Sequence, residues 1–297
     1  MKSGFVSLTG RPNTGKSTLI NALVGYKVAI TSDKSGTTRN TIQGIYSDND
    51  TQIVFVDTPG IHKPKNKLGQ RLNEEAYFSI DDVDVILFLI DVTRPFGKGD
   101  NFVLNKIKEA NKPTFLILNK VDKINKEQLL KLIMDYKHLY DFKEIIPVSA
   151  LKEKNLGELI KTLRDYLPDN VRYFPDNDLT NTTKEFRIAE LIREKVLRLT
   201  KEEVPHSVTC VVEEFKEKKD KVIINATIIT ERDSIKSIII GKQGSMLKEI
   251  GTKARHDIES MLGKKVYLEL FVKTIKNWRD KEKYLKELGF YDINTGE

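Results

Sequence analysis

The chain has 297 residues, of which 39% are hydrophobic and 31% charged, so it can bury a sizeable core and is not globally disordered. Its length favours two domains. A single cysteine, Cys210, excludes a disulfide framework and a cysteine-based metal site. No apolar run approaches the length of a membrane span, and the N-terminus lacks a signal-peptide pattern. We therefore expect a soluble intracellular protein.

The charge of the chain is concentrated in its C-terminal part. There are 50 Lys and Arg against 43 Asp and Glu, a net charge of +7. Residues 236–286 alone hold 13 basic and 6 acidic side chains, a surplus as large as that of the whole chain. Such a surplus suits a polyanion, either nucleic acid or an acidic membrane surface. A solvated lysine-rich face is the alternative.

The first half of the chain alternates strand-like runs with helical patterns. The predicted strands are Phe5–Thr9, Ile53–Asp57, Asp84–Asp91, Thr114–Asn119 and Glu144–Val148, and the amphipathic stretches are Leu19–Val24, Phe102–Ala110, Leu129–Lys137 and Leu156–Tyr166. This alternation predicts an α/β domain with a mostly parallel sheet and helices on both faces. Ligands of such sheets bind at the carboxyl ends of the strands.

A phosphate-binding motif follows the first strand. The pattern G-x-x-x-x-G-K-[ST] lies between a strand and a helix, so its backbone N–H groups would surround phosphates beside the helix N-terminus. Lys16 would reach the β- and γ-phosphates, and the Ser17 hydroxyl would ligate Mg²⁺. The motif predicts a nucleotide site at Gly10, Arg11, Pro12, Asn13, Thr14, Gly15, Lys16 and Ser17.

A second motif, Asp57-Thr58-Pro59-Gly60, ends a later strand. A carboxylate at that position can hold Mg²⁺ through water, and the Gly60 N–H can meet the γ-phosphate. An ordinary turn has the same pattern, but the distance of about forty residues from the phosphate loop favours the functional interpretation.

A third motif, Asn119-Lys120-Val121-Asp122, begins at the last residue of the predicted strand Thr114–Asn119. The Asp122 carboxylate only accepts hydrogen bonds, so it suits guanine, whose edge carries two adjacent donors, and leaves adenine mismatched. Asn119 can bridge loops and base, and the stem of Lys120 can cover the ring. Ser149-Ala150 would place a backbone N–H on the guanine oxygen.

These motifs in this order make residues 1–168 resemble a translation-factor-type GTPase. The resemblance implies that Thr38, within Thr37-Thr38-Arg39, ligates Mg²⁺ in the GTP state, with Thr37 as the alternative. Asn13 matches the potassium-binding asparagine of a subset of these GTPases; otherwise it only shapes the loop. Position 61 is Ile rather than the Gln that orients water in Ras-like enzymes, so slow hydrolysis is expected. His62 is considered for hydrolysis on its position alone.

The predicted catalytic residues are Lys16, Thr38, Gly60 and Asn13, and Ile61 is counted with the nucleotide site. The predicted Mg²⁺ ligands are Ser17, Thr38 and Asp57.

Residues 169–183, rich in Pro, Asn and Asp, are predicted to link the GTPase domain, residues 1–168, to a second domain, residues 184–297. Its predicted elements are the helix Phe186–Leu199, the strands Ser207–Phe215 and Lys221–Thr230, the helices Ser234–Ile240 and Ser245–Leu262, the strand Val266–Val272 and a basic amphipathic helix, Trp278–Leu288.

This order fits a smaller α+β fold, the type II KH domain, and a Gly-x-x-Gly loop stands between its two middle helices. Two glycines let the backbone approach a sugar–phosphate chain closely. A tight helix–helix turn is the alternative. The predicted RNA-binding residues are Ile240, Gly241, Lys242, Gln243, Gly244, Ser245 and Lys248.

Over its full length the chain resembles a bacterial family of GTPases with a C-terminal KH domain, a match that Glu231-Arg232-Asp233-Ser234 and Lys276-Asn277-Trp278-Arg279-Asp280 extend. The resemblance implies a factor in 30S ribosomal subunit assembly that binds the 3′ end of 16S rRNA. It also implies GTP or GDP with Mg²⁺, K⁺ as an optional ion, a monomer, and a cytoplasmic location with peripheral contact to anionic membrane.

Two other functions stay open. The first is an RNA-binding module in which the nucleotide is a structural ligand. The second is a GTPase of tRNA modification, a class that shares Asn13 and Thr37-Thr38-Arg39. The KH-like half and the missing catalytic cysteine pattern disfavour it.

Overall fold

The computed structural model describes residues 1–34, 36–61 and 64–290. The chain divides into two compact units. The first comprises Met1–Ala29, Thr38–Lys65 and Gly69–Asn181, and the second comprises Ile30–Thr37, Asn66–Leu68 and the chain from Thr182 onward.

A six-stranded sheet with helices forms the first unit. Its strands are β1 (Lys2–Thr9), β2 (Ile42–Ser47), β3 (Thr51–Asp57), β4 (Val85–Asp91), β5 (Thr114–Asn119) and β6 (Glu144–Val148), in the order β2-β3-β1-β4-β5-β6. Its helices are α1 (Lys16–Val24), α2 (Lys67–Asp81), α3 (Lys98–Ala110), α4 (Lys126–Tyr136) and α5 (Leu156–Tyr166). Only β2 pairs antiparallel among these strands, so the predicted mostly parallel α/β fold is confirmed.

The strand register brings the polar strand ends to one edge of the sheet. Leu8 pairs with Asp57, Asp91 with Asn119, and Asn119 with Val148. β4 is buried along its whole length because helices cover both faces of a parallel sheet. The loops that carry the three sequence motifs therefore converge at the carboxyl edge.

Two elements of this unit, β2 and α2, were not predicted from the sequence. β2 contains Gly44, which weakens its strand pattern. A Cβ at Gly44 would lie 2.8 Å from the Ile20 side chain, so the close approach of α1 requires glycine there. Within the first unit, α2 buries apolar side chains at every fourth position, Leu72, Ala76 and Ile80, and the polar residues between them obscure this helical period.

The segment that follows α5 has no helix or strand but is held to the sheet by hydrogen bonds. The Gln52 side chain donates to the Phe174 carbonyl at 2.9 Å and accepts from the Tyr173 N–H at 2.8 Å. An isolated bridge joins Gly44 to Thr180. Within the first unit, this Pro-rich stretch is therefore packed on the edge of the sheet.

The second unit combines a three-stranded sheet with helices. Its elements are α6 (Lys184–Leu199), α7 (Val204–Ser207), β7 (Thr209–Glu217), β8 (Lys221–Thr230), α8 (Asp233–Ile240), α9 (Ser245–Leu262), β9 (Lys265–Thr274) and α10 (Glu282–Glu287). β8 lies between β7, to which it is antiparallel, and β9, to which it is parallel. Apolar side chains of α6, α8 and α9 pack on one face of this sheet and form the core.

The basic helix predicted over Trp278–Leu288 does not form as one element. A 3-10 turn, Trp278–Asp280, is followed by Lys281 in extended conformation and then by α10. Trp278 is fully buried, its Nε1 donates to the Ser207 carbonyl at 3.1 Å, and its ring stacks on Phe290. The buried and hydrogen-bonded ring fixes the 3-10 turn, and the helix is interrupted at Lys281.

No helix in the described part of the chain is long and apolar enough to cross a bilayer.

Cys210 is a buried free cysteine on β7, and burial raises the pKa of its thiol.

Candidate nucleotide site and nucleic-acid interface

The phosphate loop between β1 and α1 depends on left-handed backbone at two positions. Asn13 has φ +67° and Gly15 has φ +99°. A Cβ at Gly15 would lie 2.2 Å from Asn119 Nδ2, so only glycine lets the loop pass that side chain. Lys16 Nζ donates to the carbonyls of Gly10 and Arg11, at 3.1 and 3.2 Å. The ammonium group is thus held inside the loop.

Burial shapes the electrostatics of this loop. It lowers the pKa of Lys16, and the nearby Asp57 carboxylate opposes that shift. It raises the pKa of Asp57, opposed by the charge of Lys16 and by hydrogen bonds from Ser17 and Thr38. Two opposite charges are therefore enclosed at the position where the motifs predict phosphates and a cation.

The three predicted Mg²⁺ ligands lie together. Ser17 Oγ donates to Asp57 Oδ2 at 2.8 Å, and Thr38 Oγ1 lies 2.9 Å from Ser17 Oγ and 3.3 Å from Asp57 Oδ2. Asp57 Oδ1 is buried and has no hydrogen-bond partner among the described residues. Hydroxyl and carboxylate oxygens are the ligands that Mg²⁺ prefers, so the cluster fits this ion.

The alternative ligand, Thr37, donates its hydroxyl to the Lys34 carbonyl at 2.7 Å. The structure therefore places Thr38, not Thr37, beside Ser17 and Asp57.

Gly60 contacts the phosphate loop, whereas the side chains of Ile61 and Arg11 are engaged elsewhere. A Cβ at Gly60 would lie 2.9 Å from the Pro12 ring, so the second motif touches the phosphate loop. Ile61 is 2% exposed and belongs to an apolar core cluster. The Arg11 side chain forms an ion pair of 2.8 Å with the buried Asp100. Neither the Ile61 nor the Arg11 side chain is directed into the loop, and His62 lies outside the described residues.

Asn119 ties together the loops that follow β1, β5 and β6. Its Nδ2 donates to the Thr14 carbonyl at 2.8 Å, while its Oδ1 accepts from Lys120 N at 2.8 Å and from Ala150 N at 3.1 Å. The Ala150 N–H predicted to meet a guanine oxygen thus already donates to Asn119 Oδ1. A bound guanine would share this N–H with Asn119.

Asp122 and Lys120 define the predicted base edge. Ser149 Oγ donates to Asp122 Oδ1 at 2.6 Å, a hydrogen bond that lowers the pKa of Asp122 and keeps it ionised. Lys120, with φ +71°, extends its ammonium to the Asn13 carbonyl at 2.9 Å and to Asp91 Oδ2 at 2.6 Å. The lysine stem therefore bridges the base edge and the phosphate loop.

In the second unit, the Gly-x-x-Gly loop forms a tight turn between α8 and α9. Gly241 and Gly244 have φ +71° and +78°, and Gln243 between them has φ +51°. A Cβ at Gly241 would lie 2.7 Å from the Met246 Cβ. Glycine at Gly241 therefore allows α9 to start directly beside the end of α8.

A groove of about 550 Å³ runs from this loop along α9 to β9. Of the residues predicted for RNA, Gly244 and Lys248 line it, while Ile240, Gly241, Lys242, Gln243 and Ser245 lie in or next to the loop at its end. The groove is also lined by residues that the motifs did not predict: Leu247, Gly251, Thr252, Arg255, Leu268 and Leu270. Those on α9 recur at three- and four-residue spacing after Gly244, a signal for one helix face.

Comparisons with known proteins agree with both halves of this description. Residues 5–120 match the model of a family described as 50S ribosome-binding GTPase, and residues 203–279 match that of the KH domain. A solved structure of Era from Aquifex aeolicus, a variant bound to GDP·AlF₄⁻, is 43% identical with a TM-score of 0.95 and covers 98% of this chain and 100% of its own. A structure of Era with MgGDPNP and nucleotides 1506–1542 of 16S ribosomal RNA has the same four values.

The fold and the two sites therefore define a class, a P-loop GTPase domain followed by a KH domain. The 43% sequence identity to Era, over essentially the whole of both chains, assigns the chain to one family within this class. The chain belongs to the Era family.

Proposed function

We propose that this chain binds and hydrolyses GTP, binds the 3′ end of 16S rRNA and acts in 30S subunit assembly. The observation that carries the proposal is the buried cluster in which the Ser17 and Thr38 hydroxyls converge on Asp57, whose second oxygen is unpaired among the described residues. The Era relative that binds 16S rRNA nucleotides supports the RNA assignment.

Each group of the nucleotide site has a defined role in this proposal. Lys16 and the loop N–H groups hold the β- and γ-phosphates, and Asp122 accepts from the guanine edge. Ser17, Thr38 and Asp57 would hold Mg²⁺, which neutralises charge on the phosphates when bound. Because the apolar Ile61 side chain is buried, it offers no group to orient water, which supports slow hydrolysis.

We also propose that Asn13 helps to bind K⁺ beside the phosphates. The Asn13 carbonyl accepts from Lys120, so the residue already holds the loop in shape. A cation beside the asparagine would add neutralisation of charge developing in the transition state. Hydrolysis rates in K⁺ and in Na⁺ measure that contribution.

The groove of the second unit suits single-stranded RNA. Leu247, Leu268 and Leu270 provide apolar surface for bases, and Lys248 and Arg255 supply positive charge for phosphates. The glycine loop at one end lets a sugar–phosphate chain approach the backbone closely.

A second candidate is an RNA-binding module with nucleotide as a structural ligand, and the buried Ile61 favours it. A role in tRNA modification gains no support, because the features shared with that class of GTPase lie in the GTPase half and do not account for the KH domain. The domain limits 1–168, 169–183 and 184–297, a monomeric state, a cytoplasmic location and contact with anionic membrane belong to the proposal as well.

The deciding experiment measures steady-state GTP hydrolysis in K⁺ buffer, with and without an RNA oligomer from the 3′ end of 16S rRNA. Stimulation by RNA would support a GTPase whose cycle is coupled to RNA. An unchanged rate with the RNA bound would favour the RNA-binding module. Lys16→Ala, which removes the phosphate-binding ammonium, is the control without nucleotide binding.

A further inference from the structure

The face of the second unit's sheet that lies opposite the helices is exposed along β9, whereas on β8 its Thr227 and Ile229 are buried. Along β9, Leu268, Leu270 and Val272 pack with the helical core, so the alternate residues point to the opposite face. Two of these, Tyr267 and Phe271, are large aromatic side chains that are 57% and 48% exposed. Exposed aromatic residues on a sheet are the usual means by which proteins stack unpaired bases.

The register extends this face across the sheet. Tyr267 pairs with Ile223 of β8, which pairs with Lys216 of β7. Phe271 pairs with Thr227, which pairs with Val211. The two aromatic rings lie four residues apart on one strand, about 13 Å, and apolar or small side chains adjoin both of them.

The charges of the face favour a polyanion at its ends and a base in its middle. Lys221 pairs with Lys265 at one end of β8 and β9, so two like charges stand side by side, and Lys273 lies at the other end. Glu269 lies between the aromatic residues; it repels phosphate but can accept from base amino groups. Glu214, in the same row, is already engaged by Lys216 and by Asn225.

The face is continuous with the RNA groove. β9 is an edge strand, and its Leu268 and Leu270 line the groove while Tyr267 and Phe271 occupy the opposite side of the same strand. A nucleic-acid strand that leaves the groove over this edge would pass the two aromatic side chains.

We propose that Tyr267 and Phe271 form a second, base-stacking site for single-stranded RNA, which binds the nucleotides that flank those in the groove. The inference rests on the proposed RNA binding of the groove and extends it by a separate surface. It predicts that RNA longer than the groove gains affinity from these two residues, whereas RNA that only fills the groove does not.

The test compares two fluorescent RNAs from the 3′ end of 16S rRNA on the full chain, one of about 4 nucleotides, the number that a KH groove clamps, and one of about 12. Fluorescence anisotropy gives Kd for the wild type, Tyr267→Ala, Phe271→Ala and the double variant. Each alanine is expected to weaken the long RNA by about 5- to 150-fold and to leave the short RNA unchanged. Tyr267→Phe and Phe271→Tyr keep a ring and are expected to bind as the wild type.

Phe102→Ala, which removes an exposed aromatic of α3 in the first unit, is the matched control. A long RNA that binds the double variant as tightly as the wild type would overturn the inference and leave the groove intact. Loss of short-RNA binding in the double variant would also overturn it, because the rings would then support the groove. If neither RNA binds the wild type, the proposed RNA function itself fails.

A second measurement does not depend on variants that fold. RNA carrying 4-thiouridine outside the groove-binding nucleotides is cross-linked to the wild-type chain, which is then digested with trypsin. Cleavage after Lys265 and Lys273 releases Val266–Lys273, and an adduct on Tyr267 or Phe271 within it supports the site. Adducts confined to Leu268 or Leu270 contradict it.

Discussion

Gly15 shows how a single residue controls the nucleotide site. Its φ of +99° favours glycine, and a side chain there would collide with the Asn119 amide. That amide joins three loops, because it bonds Thr14, Lys120 and Ala150. The consequence of a substitution at Gly15 should therefore extend from the phosphate loop to the base edge.

We predict that Gly15→Ala lowers both the stability of the first unit and its affinity for GDP. The positive φ alone costs about 1 kcal/mol or more. Displacement of Asn119 breaks hydrogen bonds worth roughly 1 kcal/mol each. GDP titration and urea unfolding measure the two effects.

Gly25→Ala is the matched control, since Gly25 has φ +70° and a Cβ added there would meet nothing within 4 Å. It should lose stability from backbone strain but keep its GDP affinity. Equal loss of affinity in both variants would contradict the role assigned to the Asn119 contact.

At the scale of elements, Trp278 holds the C-terminal segment in the second unit. Its ring is fully buried, stacks on Phe290 and bonds the Ser207 carbonyl. We predict that Trp278→Ala destabilises this unit by about 3–5 kcal/mol through the cavity and the lost hydrogen bond. Trp278→Phe fills part of the volume and should cost less.

Urea unfolding followed by circular dichroism measures this effect, and added GDP identifies the transition of the first unit because the ligand stabilises only that unit. Trp278→Ala should shift the transition that GDP leaves in place. Phe102→Ala, on an exposed ring of α3, should shift neither. If Trp278→Ala instead shifted the GDP-sensitive transition, the conclusion that Trp278 stabilises the second unit would be wrong.

The elements also show which features the sequence could predict. β5, β6, α5, β8 and α9 have the predicted bounds, since each has a continuous apolar run or a clear helical period between turn residues. β2 and the tail differ for tertiary reasons: Gly44 accommodates α1, and burial of Trp278 interrupts a helix that its sequence favours.

In the sites, motif spacing predicted the Ser17–Asp57 pair and the loop of Gly241 and Gly244. The hydrogen-bond partners of Asn119 and the groove residues Leu268 and Leu270 of β9 required the fold, because they lie on separate loops or on a strand that only tertiary structure brings to the site.

For the whole molecule, the division of charge distinguishes the two proposed binding activities. The basic surplus of residues 236–286 equals the net charge of the entire chain, so the rest of the chain sums to neutral. RNA binding releases counterions from many phosphates, whereas GDP carries few. Salt should therefore weaken RNA binding far more steeply than nucleotide binding.

We predict that log K for single-stranded RNA falls linearly with log salt, with a slope of about −0.7 for each phosphate neutralised. Lys242→Gln and Lys248→Gln should each make this slope shallower by about 0.7 and leave GDP affinity unchanged. Anisotropy titrations across a range of KCl concentrations measure the slope. Lys131→Gln, an exposed lysine of α4, should change neither quantity; if it reduces the slope as much as Lys248→Gln does, RNA binding follows total charge rather than the groove.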